Sequence, residues 1–383
     1  MTMRFLKPGL MAAAIALALP GCGGGGADTT PRTSISSVKV FGDSLQDSGT
    51  FGIKFTVQVT GGGAVLFPER IAALYGKTLC PYYMATSAST FTPNTTTTDA
   101  CPTRTNYAIG GGVINYTSST TNPLDVTVQL AAAGASGFSS SDLLIIDGGA
   151  NDAAALIGAY LAAATDGGAS YVALISTLLT PAQVATAVGG GSTGLQAAGV
   201  LYMQALADRF YTSINTNALG KGAEHVVLMN IPAITKTPRF QMVLAAITAA
   251  QGATASAGAE ALFNGWIQAF NTEESTKLGS DSRVAIIDFY SSLLGEVAAP
   301  AQFGLTNATT PACPATGVDS SGLPTYTFAT CTDTALSAMS AQHSNDPNWW
   351  KTYGFSDSFH PTPYGHQLVS QLISRSLAAK GWL

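Results

Sequence analysis

A short apolar run stops at a glycine-containing turn near the start of the chain, in the stretch Val38-Lys39-Val40-Phe41-Gly42-Asp43-Ser44. Three similar runs, rich in leucine or β-branched residues, are each closed by a polar residue: residues 143–146, 226–229 and 284–287. Runs of this kind are typical of parallel strands whose two faces are both covered. The pattern therefore predicts a parallel sheet that is buried on both sides.

Helical segments lie between these strands. Apolar residues recur at helical spacing from Leu195 to Ile214 and from Phe240 to Phe270, and a last helix is expected over Tyr364–Leu377. The alternation predicts one α/β domain, with a single doubly wound, mainly parallel sheet and helices on both faces. Residues 86–105 are rich in Thr and Ser and residues 306–350 are irregular, so we expect loops there.

Composition and charge exclude some classes of partner. Of the 383 residues, 46% are hydrophobic, which is enough for a large core, and only 10% are charged. The net charge is −5 and no Lys/Arg cluster is present, whereas a nucleic-acid backbone needs a concentrated basic face. We therefore expect no nucleic-acid partner.

The N-terminus has the features of an export signal. Arg4 and Lys7 precede an apolar run over residues 10–19 that is too short to span a bilayer, which predicts a signal peptide over residues 1–21. The following Cys22 resembles the lipidated cysteine of a bacterial lipoprotein, and residues 22–36 would then be its flexible linker. The alternative is cleavage near Ala16-Leu17-Ala18. The sequence thus predicts an exported domain over residues 37–383.

Its expected location is the bacterial cell envelope, as an outer-membrane lipoprotein or in the periplasm, with secretion as the alternative. No other stretch of the sequence has the length and hydropathy of a transmembrane segment. Contact with a membrane is therefore expected only through the lipid anchor. The sequence leaves the oligomeric state open.

Four further cysteines, an even number in an exported chain, favour disulfide bonds. They are Cys80, Cys101, Cys313 and Cys331. Three connectivities are possible, and local pairing is the simplest because each bond would then close a Thr/Ser-rich loop. The cysteines lack CxxC spacing and the four histidines are scattered, so we expect neither a metal site nor a cofactor.

Ser44 follows the first predicted strand directly, and the carboxyl ends of parallel strands are where ligands gather in open α/β sheets. Gly-Asp-Ser-Leu by itself could equally be an ordinary capping turn. Three further blocks follow in the chain: Asn-Tyr-Ala-Ile-Gly-Gly-Gly at 106–112, Gly-Ala-Asn-Asp at 149–152, and Asp-Ser-Phe-His-Pro-Thr at 357–362. The candidate site depends on all four together.

These four blocks, in this order, resemble the conserved blocks of the SGNH (GDSL) hydrolase family. Asn-Ile-Pro at 230–232 and residues 300–307 are similar to segments of its lipase and lecithinase-like branch. The resemblance extends from residue 38 to the C-terminus and implies a flavodoxin-like α/β fold. One departure is Ser356, which stands where the family often has Trp.

The resemblance implies that Ser44 is the nucleophile, that His360 is its general base and that Asp357 orients the imidazole. It also implies an oxyanion hole formed by the backbone N–H groups of Ser44 and Gly110 and the side-chain amide of Asn151. The sequence does not decide between Gly110 and Gly111.

The residue types suit this chemistry. A serine hydroxyl needs a base, and an imidazole can accept its proton near neutral pH and return it to the leaving group. Asp357 lies three residues before His360, so both can share one face of a turn. Taken singly, each residue has a structural alternative: Asp357 as a helix cap, Asn151 as a loop amide and His360 as a buried histidine.

A competing motif lies in the middle of the chain. Gly-Gly-Ser-Thr-Gly at residues 190–194 fits the G-x-S-x-G pattern of α/β-hydrolases. That motif needs a preceding strand, whereas an alanine-rich helical segment comes before it here. We therefore expect Ser192 to cap the following helix.

The favoured function is an exported carboxylic-ester hydrolase, of the esterase, lipase or lysophospholipase kind, with an ester or lipid substrate. An acyltransferase or a carbohydrate O-deacetylase could use the same residues. A non-catalytic surface binding protein is disfavoured because all the proton-transfer residues are present. Acyl-chain length and the natural substrate do not follow from the sequence.

Overall fold

The structure is a computed structural model, and it describes residues 33–383. The expected signal peptide over residues 1–21, the lipidation site at Cys22 and most of the linker lie outside the described residues.

Ten strands and eleven α-helices form the described chain. The strands are β1 Ser37–Phe41, β2 Tyr83–Ala85, β3 Phe91–Pro93, β4 Asp142–Ile146, β5 His225–Met229, β6 Val284–Ile287, β7 Asn307–Pro311, β8 Gly317–Val318, β9 Pro324–Thr325 and β10 Tyr353–Phe355. The helices are α1 Phe67–Leu74, α2 Val126–Gly134, α3 Ala150–Asp166, α4 Ala169–Ile175, α5 Pro181–Gly189, α6 Gly191–Asn217, α7 Pro238–Gln251, α8 Ala253–Leu278, α9 Phe289–Ala298, α10 Asp333–Ala338 and α11 Pro363–Ala379.

The central sheet has the order β1-β4-β5-β6, and all of its strand pairs are parallel. Its members are the four strands that the apolar runs predict, each extended by at most one residue at its start. Parallel neighbours require crossover connections, which the helices between the strands provide. The predicted α/β fold with a mainly parallel sheet is confirmed.

Side chains alternate along these strands between two separate hydrophobic clusters. The first cluster contains Phe41, Leu144, Ile146, Val226 and Leu228. The second cluster contains Val40, Leu143, Ile145, Val227 and Met229. Helices α2, α3, α4, α6 and α8 cover the first face, and α1, α9 and α11 cover the second. Because each strand has apolar residues on both sides, it reads as a continuous apolar run in the sequence.

Two details differ from expectation. The helical pattern over residues 240–270 belongs to two helices, α7 and α8, because Gly252 between them has a φ of +88° that interrupts the helix. The stretches expected to be loops contain short strands: β3 pairs with β2, and β7 pairs with β10 near the C-terminus. Strands of two to five residues are too short to give a periodic signal.

Disulfide bonds join Cys80 to Cys101 and Cys313 to Cys331, which confirms the local pairing. Each bond closes a loop outside the central sheet. Among residues 33–383, no helix combines the length and hydropathy needed to cross a membrane.

Candidate active site

The turn after β1 brings the backbone close to the neighbouring strand. A Cβ atom at Gly42 would lie 1.7 Å from Oδ1 of Asp147, so only glycine fits without displacement. The side chain of Gln129 accepts a hydrogen bond from the Gly42 N–H (2.8 Å) and donates one to the Gly42 carbonyl (3.0 Å). The turn that carries Ser44 is therefore held by α2 on one side and by the end of β4 on the other.

Two buried carboxyl groups lie beneath this turn. The N–H of Asp43 donates to Oδ1 of Asp147 (3.2 Å), and Oδ1 of Asp43 accepts from the N–H of Leu45 (2.9 Å). Burial raises the pKa of Asp43 to about 6. Burial and the neighbouring Asp43 also raise the pKa of Asp147 well above its ordinary value. Both groups act here as hydrogen-bond acceptors that fix the backbone around Ser44.

Asp47 connects the turn that carries Ser44 to the glycine segment at 110–112. Its Oδ1 accepts from the N–H groups of Gly49 (2.9 Å) and Thr50 (2.7 Å), and its Oδ2 accepts from the N–H of Gly110 (2.9 Å). Asp47 is thus a structural acceptor of the turn.

The structure brings Ser44, His360 and Asp357 together in one hydrogen-bonded chain. Nε2 of His360 lies 2.7 Å from Oγ of Ser44, and Nδ1 of His360 lies 2.9 Å from Oδ2 of Asp357. The residues come from opposite ends of the sequence, 316 positions apart in the case of Ser44 and His360. All three side chains are largely buried, so the two hydrogen bonds are shielded from solvent.

Oδ1 of Asp357 accepts the backbone N–H groups of Phe359 (2.8 Å) and His360 (2.6 Å). This leaves Oδ2 directed at the imidazole. The cap of α11 is Thr362, whose Oγ1 accepts from the N–H of Gly365 (3.1 Å). Asp357 is therefore not the cap of the last helix, and that structural alternative does not hold.

Asp357 and His360 each shift the pKa of the other towards the charged form. Burial alone would lower the pKa of His360, but the carboxylates of Asp357 and Asp43 outweigh it and raise the pKa. Burial alone would raise the pKa of Asp357, but the facing imidazole and the backbone N–H donors lower it. An ionised Asp357 beside His360 is what a general base needs in order to receive a proton.

Aromatic rings surround the imidazole of His360. The ring centroids of Phe55 and Phe328 each lie 5.5 Å from it, and that of Phe359 lies 5.8 Å away. Sequence reasoning did not identify Phe55 or Phe328, because both come from loops with no periodic pattern.

Ser356 forms hydrogen bonds that connect the loop of Phe55 to the segment that carries His360. Its hydroxyl donates to the Pro361 carbonyl (2.9 Å) and accepts from the N–H of Val57 (3.2 Å). Ser356 is fully buried, so the position where the family often has Trp holds a hydrogen-bonded side chain instead of a large ring.

The three expected oxyanion donors differ in their surroundings. The N–H of Gly110 is committed to Asp47, whereas the N–H groups of Ser44 and Gly111 have no acceptor within the part of the chain that the structure describes. Gly111 has a φ of +82°, and a Cβ atom there would meet open space. Nδ2 of Asn151, in the first turn of α3, donates to the Gly112 carbonyl (2.9 Å) and contacts Oδ2 of Asp43 at 3.3 Å.

A small apolar cavity lies beside Ser44. Its wall is formed by the turn that carries Ser44, the start of α3, the segment after β5, helix α9 and the segment just before His360. Among its lining residues are Ala150, Pro232, Ile234 and Phe359. The cavity lies where a substrate would need to meet Ser44.

Residues 38–373 match the family model described as GDSL-like Lipase/Acylhydrolase. The chain belongs to the GDSL-like lipase/acylhydrolase family. In a search of the curated proteins, no sequence matched. The match covers nearly all of the central sheet, both disulfide loops and most of the last helix, and it includes all four sequence blocks. Membership implies a hydrolase that acts on esters.

Other candidate residues lie elsewhere in this GDSL-family domain. Ser192 is exposed in the first turn of α6, directly after α5, and Gly190 rather than Ser192 is the capping residue. The prediction that Ser192 caps the helix is therefore wrong, because Gly190 ends one helix and begins the next. His366 is fully buried on α11, and burial lowers its pKa to about 3.

Within residues 33–383, no group of three or more His, Cys, Asp or Glu side chains could hold a metal ion. The four cysteines of these residues are all in disulfide bonds.

Proposed function

We propose that the protein is a serine carboxylic-ester hydrolase in which Ser44 attacks the acyl carbon of an ester. The observation that carries the proposal is the chain Ser44–His360–Asp357, with hydrogen bonds of 2.7 and 2.9 Å. His360 accepts the proton of the Ser44 hydroxyl as the C–O bond forms, and then gives it to the leaving alkoxide. Water, activated by the same imidazole, then hydrolyses the acyl-enzyme.

The negative charge on the substrate carbonyl oxygen needs donors that are already in place. We propose the N–H groups of Ser44 and Gly111, which have no acceptor among residues 33–383, and the side-chain amide of Asn151, which would exchange its 3.3 Å contact with Oδ2 of Asp43 for the substrate oxygen. Gly111 replaces Gly110 because the Gly110 N–H is hydrogen-bonded to Asp47. Each donor of this kind typically contributes about 2.7–4 kcal/mol to transition-state stabilisation.

The apolar wall of the cavity favours an ester with an apolar acyl group. An acetylated sugar would need polar partners for its hydroxyl groups, and the lining supplies few beyond Asp43, Ser44 and Thr237. We therefore place esterase or lipase activity ahead of carbohydrate O-deacetylation. Acyl transfer remains the second candidate, because an alcohol could take the place of water in the second half of the reaction.

The experiment is turnover of chromogenic acyl esters by the purified domain, with and without an alcohol acceptor. Hydrolysis by the native protein and its loss in Ser44→Ala, with an unchanged thermal unfolding midpoint, is the expected result. Activity retained in Ser44→Ala would overturn the proposal. Ester product formed with the acceptor would reveal transferase activity.

We further propose that the domain is exported and that Cys22 is lipidated. Two disulfide bonds support an oxidising compartment, since such bonds persist mainly outside the cytoplasm. Expression of the full chain in bacteria with labelled fatty acid should label the native protein but not Cys22→Ala. Equal labelling of both, or of neither, would contradict the lipidation.

A further inference from the structure

The carboxyl group of Asp147, beneath the turn that carries Ser44, has few hydrogen-bond donors. Asp147 follows β4 directly and is buried. Within residues 33–383, its Oδ1 accepts one hydrogen bond, from the N–H of Asp43 at 3.2 Å, and its buried Oδ2 accepts none. An ionised carboxylate here would be buried with a single long hydrogen bond, which is costly.

Asp47, which is buried in the same turn, shows what an ionised carboxylate needs at this place. Its two oxygens accept three backbone N–H groups at 2.7–2.9 Å, from Gly49, Thr50 and Gly110. Hydrogen bonds of this kind compensate a carboxylate for the loss of water. Asp147 lacks that compensation although it is buried to a similar degree.

Asp43 is the charged neighbour of Asp147, and we call the two residues the acid pair. Burial and Asp43 both raise the pKa of Asp147, and no Lys, Arg or His of residues 33–383 forms an ion pair with it. Two adjacent carboxylates in a buried site repel each other, so the acid pair holds one negative charge more readily than two.

The surroundings of Asp43 favour that charge. Its Oδ1 accepts the N–H of Leu45 (2.9 Å), and its Oδ2 lies 3.3 Å from the amide Nδ2 of Asn151. The imidazole of His360 lowers the pKa of Asp43, against the opposing effects of burial and of the nearby Asp47. Asp147 has no comparable partner, so the proton of the acid pair belongs on Asp147.

Gln46 supplies a second sign that a donor is needed at this point. Its Nε2 donates to the carbonyl of Phe41 (3.3 Å), whereas its Oε1 is buried with no donor among residues 33–383. The amide lies on the same side of Gly42 as the carboxyl group of Asp147. A carboxylate there would add another acceptor without a donor, whereas a carboxylic acid brings an O–H donor.

We propose that Asp147 is a positioning residue for Ser44 and that it is a neutral carboxylic acid in the active enzyme. Its Oδ1 holds the N–H of Asp43, and its proton leaves the charge of the acid pair on Asp43, which faces His360. The inference rests on the proposed function of Ser44, since it concerns the backbone and the charge around that hydroxyl.

The acid midpoint of kcat/KM shows which member of the acid pair is charged. Asp43→Asn removes a negative charge near His360, so its midpoint should move to lower pH. Asp147→Asn replaces one neutral group by another, so its midpoint should equal that of the native protein. A midpoint that moves to lower pH in Asp147→Asn would place the charge on Asp147 and overturn the inference.

Infrared difference spectroscopy tests the proton without any need for turnover. At neutral pH, Asp147→Asn should lose a carboxylic-acid C=O band relative to the native protein; loss of a carboxylate band would overturn the inference. Glu274→Gln is the matched control, because Glu274 on α8 is also buried with no donor to either oxygen within residues 33–383. It should lose a C=O band and keep the native acid midpoint.

The positioning role is tested by Asp147→Leu, which removes the acceptor for the Asp43 N–H and lets the turn move. Its kcat should fall about tenfold or more below that of Asp147→Asn, which keeps an acceptor. Equal kcat values in the two folded variants would refute this role. If Asp147→Leu does not fold, the acid midpoint and the infrared band still decide. Failure of the proposed function looks different, because Ser44→Ala would then keep its activity.

Discussion

Ser44 and His360 meet from two halves of the site that are held in different ways. The half that carries Ser44 is built into the sheet: Gly42 packs against Asp147 at the end of β4, and Gln129 holds the turn from α2. The half that carries His360 lies on a loop outside the sheet. Its position depends on rings from other loops, above all Phe55 and Phe328.

The second disulfide bond belongs to the His360 half. Phe328 lies three residues before Cys331, and the N–H of Cys313 donates to the Ser356 carbonyl (2.7 Å), one residue before Asp357. One covalent bond thus joins two segments that contact residues 356–360. Ser44, the proposed nucleophile, is fixed by the most buried part of the fold, whereas His360, the proposed base, is fixed by loops that the disulfide holds together.

The largest expected effect is that of Asp357→Asn, in the His360 half. The amide keeps an acceptor for the N–H groups of Phe359 and His360 but removes the charge that orients and stabilises the imidazolium. In the serine-protease triad the corresponding change lowers kcat by about 10⁴-fold, and we expect a loss of the same order here. Steady-state kinetics on a chromogenic ester measures it. A loss below tenfold would mean that Asp357 does not act on His360.

Gly42→Ala should have the next largest effect and tests the Ser44 half. Its Cβ would lie 1.7 Å from Oδ1 of Asp147, so the turn must move. Displacement of a reacting group by about 1 Å can lower the rate by about 10²-fold, and we expect kcat to fall by that order together with the unfolding midpoint. Gly158→Ala is the matched control, since Gly158 is exposed on α3 with nothing near its Cβ position. A normal kcat in Gly42→Ala would show that the turn tolerates movement.

The two disulfide bonds provide a direct comparison within the molecule. Their sequence separations are 21 and 18 residues, so removing either should destabilise the fold by a similar amount, about 2–4 kcal/mol. The double variant Cys313→Ala/Cys331→Ala should lower kcat by about tenfold, because its loop contacts His360. The double variant Cys80→Ala/Cys101→Ala should leave kcat unchanged. Urea unfolding and kinetics separate the two effects. Equal kcat values in both double variants would remove the distinction between the two halves.

The smallest expected effect is a shift in the pH dependence of kcat/KM. It tests whether Asp43, in the Ser44 half, acts on His360, in the other half. Protonated His360 cannot act as a base, so activity falls as the pH decreases through its pKa, which lies above the ordinary histidine value. The Asp43 carboxylate helps to raise that pKa. In Asp43→Asn the acid midpoint of kcat/KM should therefore move to lower pH. A midpoint that moves upward or not at all would show that Asp43 does not act on His360.

The sequence predicts the Ser44 half better than the His360 half. The four apolar runs locate every strand of the central sheet, because strands buried on both faces have an unmistakable composition. Ser44 and Asn151 follow two of these strands directly, so their meeting at one edge of the sheet follows from topology. The local pairing of the four cysteines is the simplest of the three connectivities that the sequence leaves open, and the structure confirms it.

The His360 half could not be derived in the same way. Phe55 and Phe328 lie in segments of irregular composition, and their contact with the imidazole depends on the folded path of two loops. The proposal of Gly111 instead of Gly110 rests on the hydrogen bond from the Gly110 N–H to Asp47, which only side-chain geometry reveals. The sequence does not indicate the helix break at Gly252, because apolar spacing continues on both sides of it.

The most direct test of the account is covalent labelling of Ser44 by a fluorophosphonate, read by mass spectrometry of the intact protein and of its peptides. Such a reagent reacts with a serine only when a neighbouring base activates it. We predict one adduct per chain, on the peptide that contains Ser44, and no adduct in either Ser44→Ala or His360→Ala. An adduct on another serine, or undiminished labelling in His360→Ala, would contradict the assignment of Ser44 as nucleophile and His360 as its base.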